Sequence, residues 1–292
     1  MSLHPPIIPV AYRLPDDEID RFLREDCPYG DLTTILLGIA DAPGRIVFAT
    51  RHDTVVCCTE EAARLFEKVG CTIELCRPSG TVLGKDQPFL EASGPAGSLH
   101  MGWKVALNLL EFASGIATRT HDLIREARIG NARVEVVATR KIFPGTKTVA
   151  TKAVYAGGGL PHRLGLSESV LVFAQHVAFL EDAADLWLRL PAIKDWAREK
   201  KIAVEVTEIT EALAAARAGA DMVQVDKLSP TELRPLVQAL REDAPTVLIA
   251  AAGGINEQNA SAYAATGVDL LVTSAVYWGK PADISVTMTA AR

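Results

Sequence analysis

Residues 138–166 read "ATRKIFPGTKTVATKAVYAGGGLPHRLGL", with five Lys or Arg, one His and no Asp or Glu. The chain as a whole carries a formal net charge of −6, so this stretch predicts a local wall for a small anionic ligand. Arg140, Lys141, His162 and Arg163 are the types that meet carboxylate and phosphate oxygens, and the Arg fork can hold two oxygens at once. The acidic counterparts come later. Glu205 sits inside the apolar run "IAVEV", and Asp226 closes "MVQVD". A carboxylate inside an apolar strand is costly unless it has a function or an ion pair. Glu205 and Asp226 together could hold Mg²⁺, which takes few protein carboxylates and keeps water or substrate oxygens. "AAGGIN" adds Gly253 and Gly254, whose backbone N–H groups can approach a phosphate. Each feature alone has a plainer reading. Arg140-Lys141 could be a solvated strand end, Asp226 a helix cap, His162 a loop histidine and Gly-Gly a simple turn. Their combination carries the functional reading.

The elements that must position these residues follow a regular rhythm. From residue 133, β-branched runs at 133–138, 169–173, 202–206, 222–226, 246–251 and 270–274 alternate with helical segments such as "TEALAAARAGA". In the segment from 229 to 243, Ser229 reads as N-cap, Pro230 as first helical residue and Glu232 as the capping-box acid. Near-continuous apolar strands separated by helices predict a parallel sheet covered on both faces. Polar chemistry stands at nearly every strand end: Thr139-Arg140-Lys141, Glu205, Asp226, Gly253-Gly254 and Ser274-Ala275. That distribution favours a barrel mouth over the single switch point of an open doubly wound sheet. Residues 1–100 differ, with short strands expected at 44–51, 54–59, 71–76 and 87–93 and a helix at 59–70. A helix over 103–128 should join the two regions, with Val105, Leu109, Phe112 and Ile116 on one face.

Composition narrows the partners. At 292 residues, 49% apolar and 23% charged, the chain can bury a large core as one domain or two. The acidic balance argues against nucleic acid or an anionic membrane as partner, and no apolar run nears the roughly 20 residues of a membrane span. "MSLHPPIIPV" lacks a secretory pattern. Five cysteines, an odd number without zinc spacing, read as small hydrophobes in a reducing cytoplasm, which is the expected location.

"EDCPYGDLTT", "ALNLLEFASGIAT", "ATRK" with "PG", "GGGLPHRLGL", "VEV", "MVQVD", "AAGGIN" and "GVDLLV" occur in one order along the chain. In that order they resemble the quinolinate phosphoribosyltransferase (nicotinate-nucleotide pyrophosphorylase) family. "CPYGDLTT", "KIFPGTK" and "LSESVLVFAQH" further resemble its ModD group, associated with molybdenum transport. The resemblance implies an α/β fold: an N-terminal α/β sandwich over 1–105, an incomplete parallel α/β barrel over 106–278, and a segment over 279–292 returning to the first domain. It implies transfer of phosphoribosyl from phosphoribosyl pyrophosphate to an organic acid with Mg²⁺, releasing pyrophosphate, in a homodimer or assembly of dimers with shared sites. By the same resemblance, Arg140, His162 and Arg163 match acid-substrate binders and Lys141 a pyrophosphate contact. Thr139 joins them at the substrate, Glu205 and Asp226 match the carboxylates at ribose and metal, and Gly253, Gly254, Ser274 and Ala275 fall at the 5′-phosphate.

Departures from the family pattern concentrate on the acid side. Lys104 stands where "ERTALN" has Arg, and Phe173 where "LIKDNH" has Lys. "LDN" becomes "VDK", which sets Lys227 beside Asp226, and Trp278 replaces the His of "GALTHS". The reaction class is therefore better defined than the acceptor. The loss of a lysine at Phe173 also admits a non-catalytic sensor of phosphoribosyl pyrophosphate or an oxyanion. A third reading is a barrel enzyme forming a Schiff base on Lys141.

Overall fold

The computed structural model describes residues 12–291, so the reading of "MSLHPPIIPV" lies outside the described residues. Two compact units divide the chain. The first takes the residues up to His121, Ile142–Gly158 and Tyr277 onward; the second takes Asp122–Lys141 and Gly159–Val276. Residues 106–121 fall with the first unit, because a single 35-residue helix, Ala96–Gly130, runs without interruption past residue 105, and residues 142–158 join the same unit.

In the first unit, strands β1 (Pro43–Thr50), β3 (Thr72–Cys76) and β5 (Pro88–Pro95) pair antiparallel, with a separate two-residue ladder between β2 (Thr54–Val55) and β4 (Val82–Leu83). β1 alternates, burying Ile46 and Phe48 completely, as a half-buried antiparallel strand should. The helix Thr59–Lys68 packs Leu65 and Phe66 into the same core, where Phe48 and Phe66 meet at 5.8 Å between ring centres. The strand expected over 54–59 stops at Val55. Side chains of the long helix take two donors here: Val55 N–H donates to Thr118 Oγ1 and Cys57 N–H to Ser114 Oγ, both at 3.0 Å, while Val56 N–H donates to Thr81 O at 3.0 Å. Cys58 then turns left-handed at φ 59° and opens the Thr59–Lys68 helix. The long helix buries Ala106, Leu110, Ala113 and Ala117 fully; of the expected stripe, Val105 and Leu109 are buried and Ile116 packs against the same core, while Phe112 is 61% exposed.

The second unit holds a parallel sheet of seven strands. β6 is Glu135–Ala138, β7 Leu160–Pro161, β8 Val170–Val172, β9 Ile202–Val206, β10 Met222–Asp226, β11 Leu248–Ala252 and β12 Leu270–Thr273. Their order is β7-β6-β12-β11-β10-β9-β8, an incomplete barrel left open between β7 and β8. Six of these strands lie on the expected runs; β7 was not anticipated because two residues carry no periodicity. The capping box at Ser229 forms as expected, with the hydroxyl accepting from Glu232 N–H and the Glu232 carboxylate accepting from Ser229 N–H at 2.9 Å. The last strand, β13 (Ile284–Ala290), belongs to the first unit and pairs antiparallel with β1 along its length. No helix among the described residues is long and apolar enough to cross a membrane.

Candidate active site

Parallel strands end on one side of a sheet, so the polar residues at their C-terminal ends share a rim. At the β6 end, Thr139 N–H donates to Thr273 O at 2.9 Å, and the Thr139 and Ser274 hydroxyls lie 2.7 Å apart. Thr139 Oγ1 also accepts from Lys141 N–H at 3.2 Å, which fixes the start of the exposed Arg140-Lys141 pair. His162 N–H donates to Ala138 O at 2.8 Å and so stands at the same end. These bonds bring Thr139, Lys141, His162 and Ser274 together.

Arg163 is 8% exposed, and its Nη1 reaches Ser169 O at 3.4 Å. Its guanidinium carbon lies 5.8 Å from the centre of the Phe173 ring, a cation–π arrangement. Phe173 in turn stacks on His176 at 5.7 Å, and His176 Nδ1 accepts from Phe173 N–H at 3.0 Å. Burial, with Arg140 nearby, draws the Arg163 guanidinium below its ordinary pKa. Burial likewise lowers His162, and Arg163 adds to that effect. Both effects favour the neutral form of the His162 imidazole.

Opposite in sign stands the β9–β10 end. Glu205 is half-buried, and its Oε2 accepts from Gln224 Nε2 at 2.6 Å across the two strands. Burial raises the Glu205 carboxyl and Asp226 adds to the rise, whereas Gln224, Lys141 and Lys227 work against it. Gln224 was absent from the sequence-based set, although an amide inside the apolar run "MVQVD" is the signal that marks it. Its Oε1 and the Nε2 of His162 are buried without a hydrogen-bond partner of good geometry. Gln224 works against burial and Arg163 and draws the His162 pKa upward. Buried polar atoms left open at a strand rim point to a ligand that completes them.

Asp226 ends β10, and Lys227 follows in the left-handed region at φ 64°, a conformation costing on the order of 1–3 kcal/mol for a non-glycine residue. The backbone is held there by Lys227 N–H donating to Ala252 O at 2.9 Å. Lys227 Nζ lies 3.2 Å from Asp226 Oδ2. Gly253, at φ 90°, presses on this corner: a Cβ there would lie 2.6 Å from Lys227 Cγ and 2.7 Å from Asp226 Oδ1. Gly254, at φ 71°, faces open space. Its carbonyl accepts from Asn256 Nδ2 at 3.1 Å and Asn259 Nδ2 at 3.0 Å, which anchors the turn. Thr273 Oγ1 donates to Ile255 O at 2.7 Å and accepts from Ala275 N–H at 3.0 Å, tying the glycine turn to the Ser274-Ala275 corner.

The remaining expected residue, Lys104, belongs to the first unit, where it is exposed and lies 5.7 Å from the centre of the Trp103 ring. As for a metal, no group of three or more His, Cys, Asp or Glu among the described residues is placed to hold one. Glu205 and Asp226 fit Mg²⁺ only in the mode where a substrate's oxygens and water supply most of the shell.

A seven-stranded incomplete parallel barrel in one unit and an antiparallel sheet in the other are the two folds of a pentosyltransferase of the quinolinate type. The family described as quinolinate phosphoribosyl transferase matches this chain twice, its N-terminal domain over residues 31–114 and its C-terminal domain over 116–287, and the chain belongs to that family. The protein named "Putative pyrophosphorylase ModD" of Rhodobacter capsulatus is 39% identical over 86% of this chain and 96% of its own length. The nicotinate-nucleotide pyrophosphorylase [carboxylating] of Rattus norvegicus is 30% identical over 92% of this chain and 89% of its own. Among solved structures, the nicotinate-nucleotide pyrophosphorylase of Francisella tularensis superposes with a TM-score of 0.87 at 25% identity, covering 95% of this chain and 98% of that one.

Proposed function

We propose that this chain transfers the phosphoribosyl group of phosphoribosyl pyrophosphate to an aromatic acid with a single carboxylate and releases pyrophosphate. The observation that carries the reading is the rim itself, where Arg140, Lys141 and Arg163 oppose Glu205 and Asp226 within one family fold. The bond from C1′ to the pyrophosphate oxygen breaks, and an acceptor atom bonds to C1′. Glu205 and Asp226 face the positive charge that develops on the ribosyl ring, and Lys141 faces the departing pyrophosphate. The Gly253-Gly254 turn and the Ser274-Ala275 corner offer N–H and hydroxyl donors to the 5′-phosphate. Mg²⁺, when bound between Glu205, Asp226 and donor oxygens, would draw charge from the leaving group.

The acceptor follows from Phe173. A dicarboxylate needs two sets of cationic donors, and here one of the positions contributes an apolar ring packed on Arg163 and His176. A second carboxylate against that ring would be desolvated without a partner. The functional site is further proposed to be shared in a homodimer, with Lys104 of one subunit reaching the neighbour's barrel. Lys keeps the charge of the family arginine and gives up its planar fork. The competing reading, a sensor of phosphoribosyl pyrophosphate or of an oxyanion such as molybdate, is favoured by the same ring, which occupies the face of Arg163.

One assay separates them. Purified protein is incubated with phosphoribosyl pyrophosphate, Mg²⁺ and a panel of aromatic acids, and pyrophosphate release is followed. Release with a monocarboxylate and little or none with quinolinate is the expected result. Binding of the donor without release across the panel would select the sensor, and efficient quinolinate turnover would overturn the acceptor assignment.

A further inference from the structure

We infer that Lys227 is a donor-binding residue whose ammonium supplies, from within the chain, much of the positive charge a divalent cation would bring to the Glu205–Asp226 corner, so that phosphoribosyl pyrophosphate binds without Mg²⁺. The inference rests on the phosphoribosyl-transfer reading. It concerns the binding of the donor and leaves the chemical step aside.

Two carboxylates at the rim repel a polyanion, and a bridging cation ordinarily relieves that repulsion. Here the cation is covalently present. Lys227 Nζ sits 3.2 Å from Asp226 Oδ2 while its side chain is 79% exposed, so only part of its donor capacity is spent on that contact. The ammonium thus neutralises one carboxylate and still presents N–H groups outward. A divalent ion approaching Asp226 from the same side would meet a like charge already in place.

The corner is built around this side chain. Lys227 occupies a left-handed backbone position that lysine rarely adopts, pinned by the bond to Ala252 O. The absence of a side chain at Gly253 makes room for the Lys227 stem, since a Cβ would lie 2.6 Å from its Cγ. The glycine turn proposed to receive phosphate is therefore in contact with the lysine that would bind it. Lys227 also acts with Lys141 on the Glu205 carboxyl, so its charge is felt at both acids. Arg140, Lys141, Arg163 and Lys227 set four cations against the two acids, a net positive rim suited to a pyrophosphate.

An exposed lysine–aspartate pair can equally be surface decoration worth little. Calorimetric titration of the full chain with phosphoribosyl pyrophosphate, in EDTA and in Mg²⁺, distinguishes the two. Wild type should bind in EDTA with a dissociation constant within about threefold of that in Mg²⁺. Lys227→Gln should weaken binding in EDTA by about tenfold or more, with Mg²⁺ recovering most of the loss, and Lys227→Arg should retain metal-free binding. Wild-type binding that appears only with Mg²⁺, or a Lys227→Gln protein that responds to EDTA as wild type does, overturns the inference alone. No binding of the donor by wild type in either condition overturns the inference together with the phosphoribosyl-transfer reading.

Discussion

Arg163 is buried although no carboxylate pairs with it among the described residues; its neighbours are a carbonyl, an aromatic face and another arginine. A desolvated cation in that state is poised for an external anion. Arg140→Ala and Arg163→Ala should each weaken binding of the acid substrate by about 2–4 kcal/mol, read as a rise in its dissociation constant. Affinities equal to wild type in both variants would reduce the cluster to surface charge. A second buried cation shows the contrast of a completed site. Lys152 Nζ is fully enclosed, 2.5 Å from Glu61 Oε2 and 2.9 Å from Glu60 Oε2. Burial opposes ionisation of Glu60, but the Ser79 hydroxyl and the Lys152 ammonium outweigh it and hold the carboxyl at about 2. A depressed carboxyl contributes stability that is complete above its usual value of about 4.5 and is lost as pH falls from there toward about 2. Urea midpoints measured across that window should fall for wild type and fall less steeply for Glu60→Gln; parallel curves would remove Glu60 from the acid response. Sequence alone exposed Arg163, because a basic residue after a glycine triplet is conspicuous. It did not expose the Glu60–Glu61–Lys152 cluster, whose lysine lies some 90 residues from the two glutamates and meets them only through packing.

Elements of the second unit were the most legible, since β-branched runs and a capping box are local signals that tertiary packing here reinforces. Failures came where non-local bonds decide. The "VVCC" run has strand composition, yet hydroxyls of a distant helix take the Val55 and Cys57 N–H donors, and only Val56 between them donates to backbone, at Thr81 O. The expected stripe of the long helix holds at Val105, Leu109 and Ile116 and fails at Phe112; the alanines that fill the tightest contacts beside it carry little weight in an apolar pattern. Gly253 is a case where sequence suggested the element and structure supplied the reason. Its φ of 90° and the 2.6–2.8 Å approaches of a Cβ to Lys227 and Asp226 make Gly253→Ala doubly unfavourable. Donor binding should weaken by about tenfold or more in Gly253→Ala, and by less in Gly254→Ala, where strain acts without a clash. Calorimetry on both variants checks this, and equal losses would place the effect in backbone strain alone.

At the scale of the whole molecule, a shared site would require two copies. Leu32, Leu36 and Leu37 are each at least 65% exposed along the short helix Leu32–Leu37, an apolar surface of the kind a second subunit covers. Lys104→Ala and Glu205→Ala proteins should each be nearly inactive on whatever acceptor proves active. Mixed after subunit exchange, they should regain activity, because one of the two sites in a hybrid carries neither lesion; a silent hybrid, or a fully active Lys104→Ala protein, rejects sharing. The two-unit division was only partly legible, because the chain leaves the first unit and returns to it twice. That return has a further consequence, in time. β1 pairs with β13, so during synthesis the edge of β1 waits for roughly 240 residues, or about 12–50 s at ~5–20 residues per second. Throughout that interval the nascent chain presents an unsatisfied strand edge to its surroundings. A ribosome stalled before residue 284 would hold three of the four strands, and the seven-residue β13 is what covers the edge of β1.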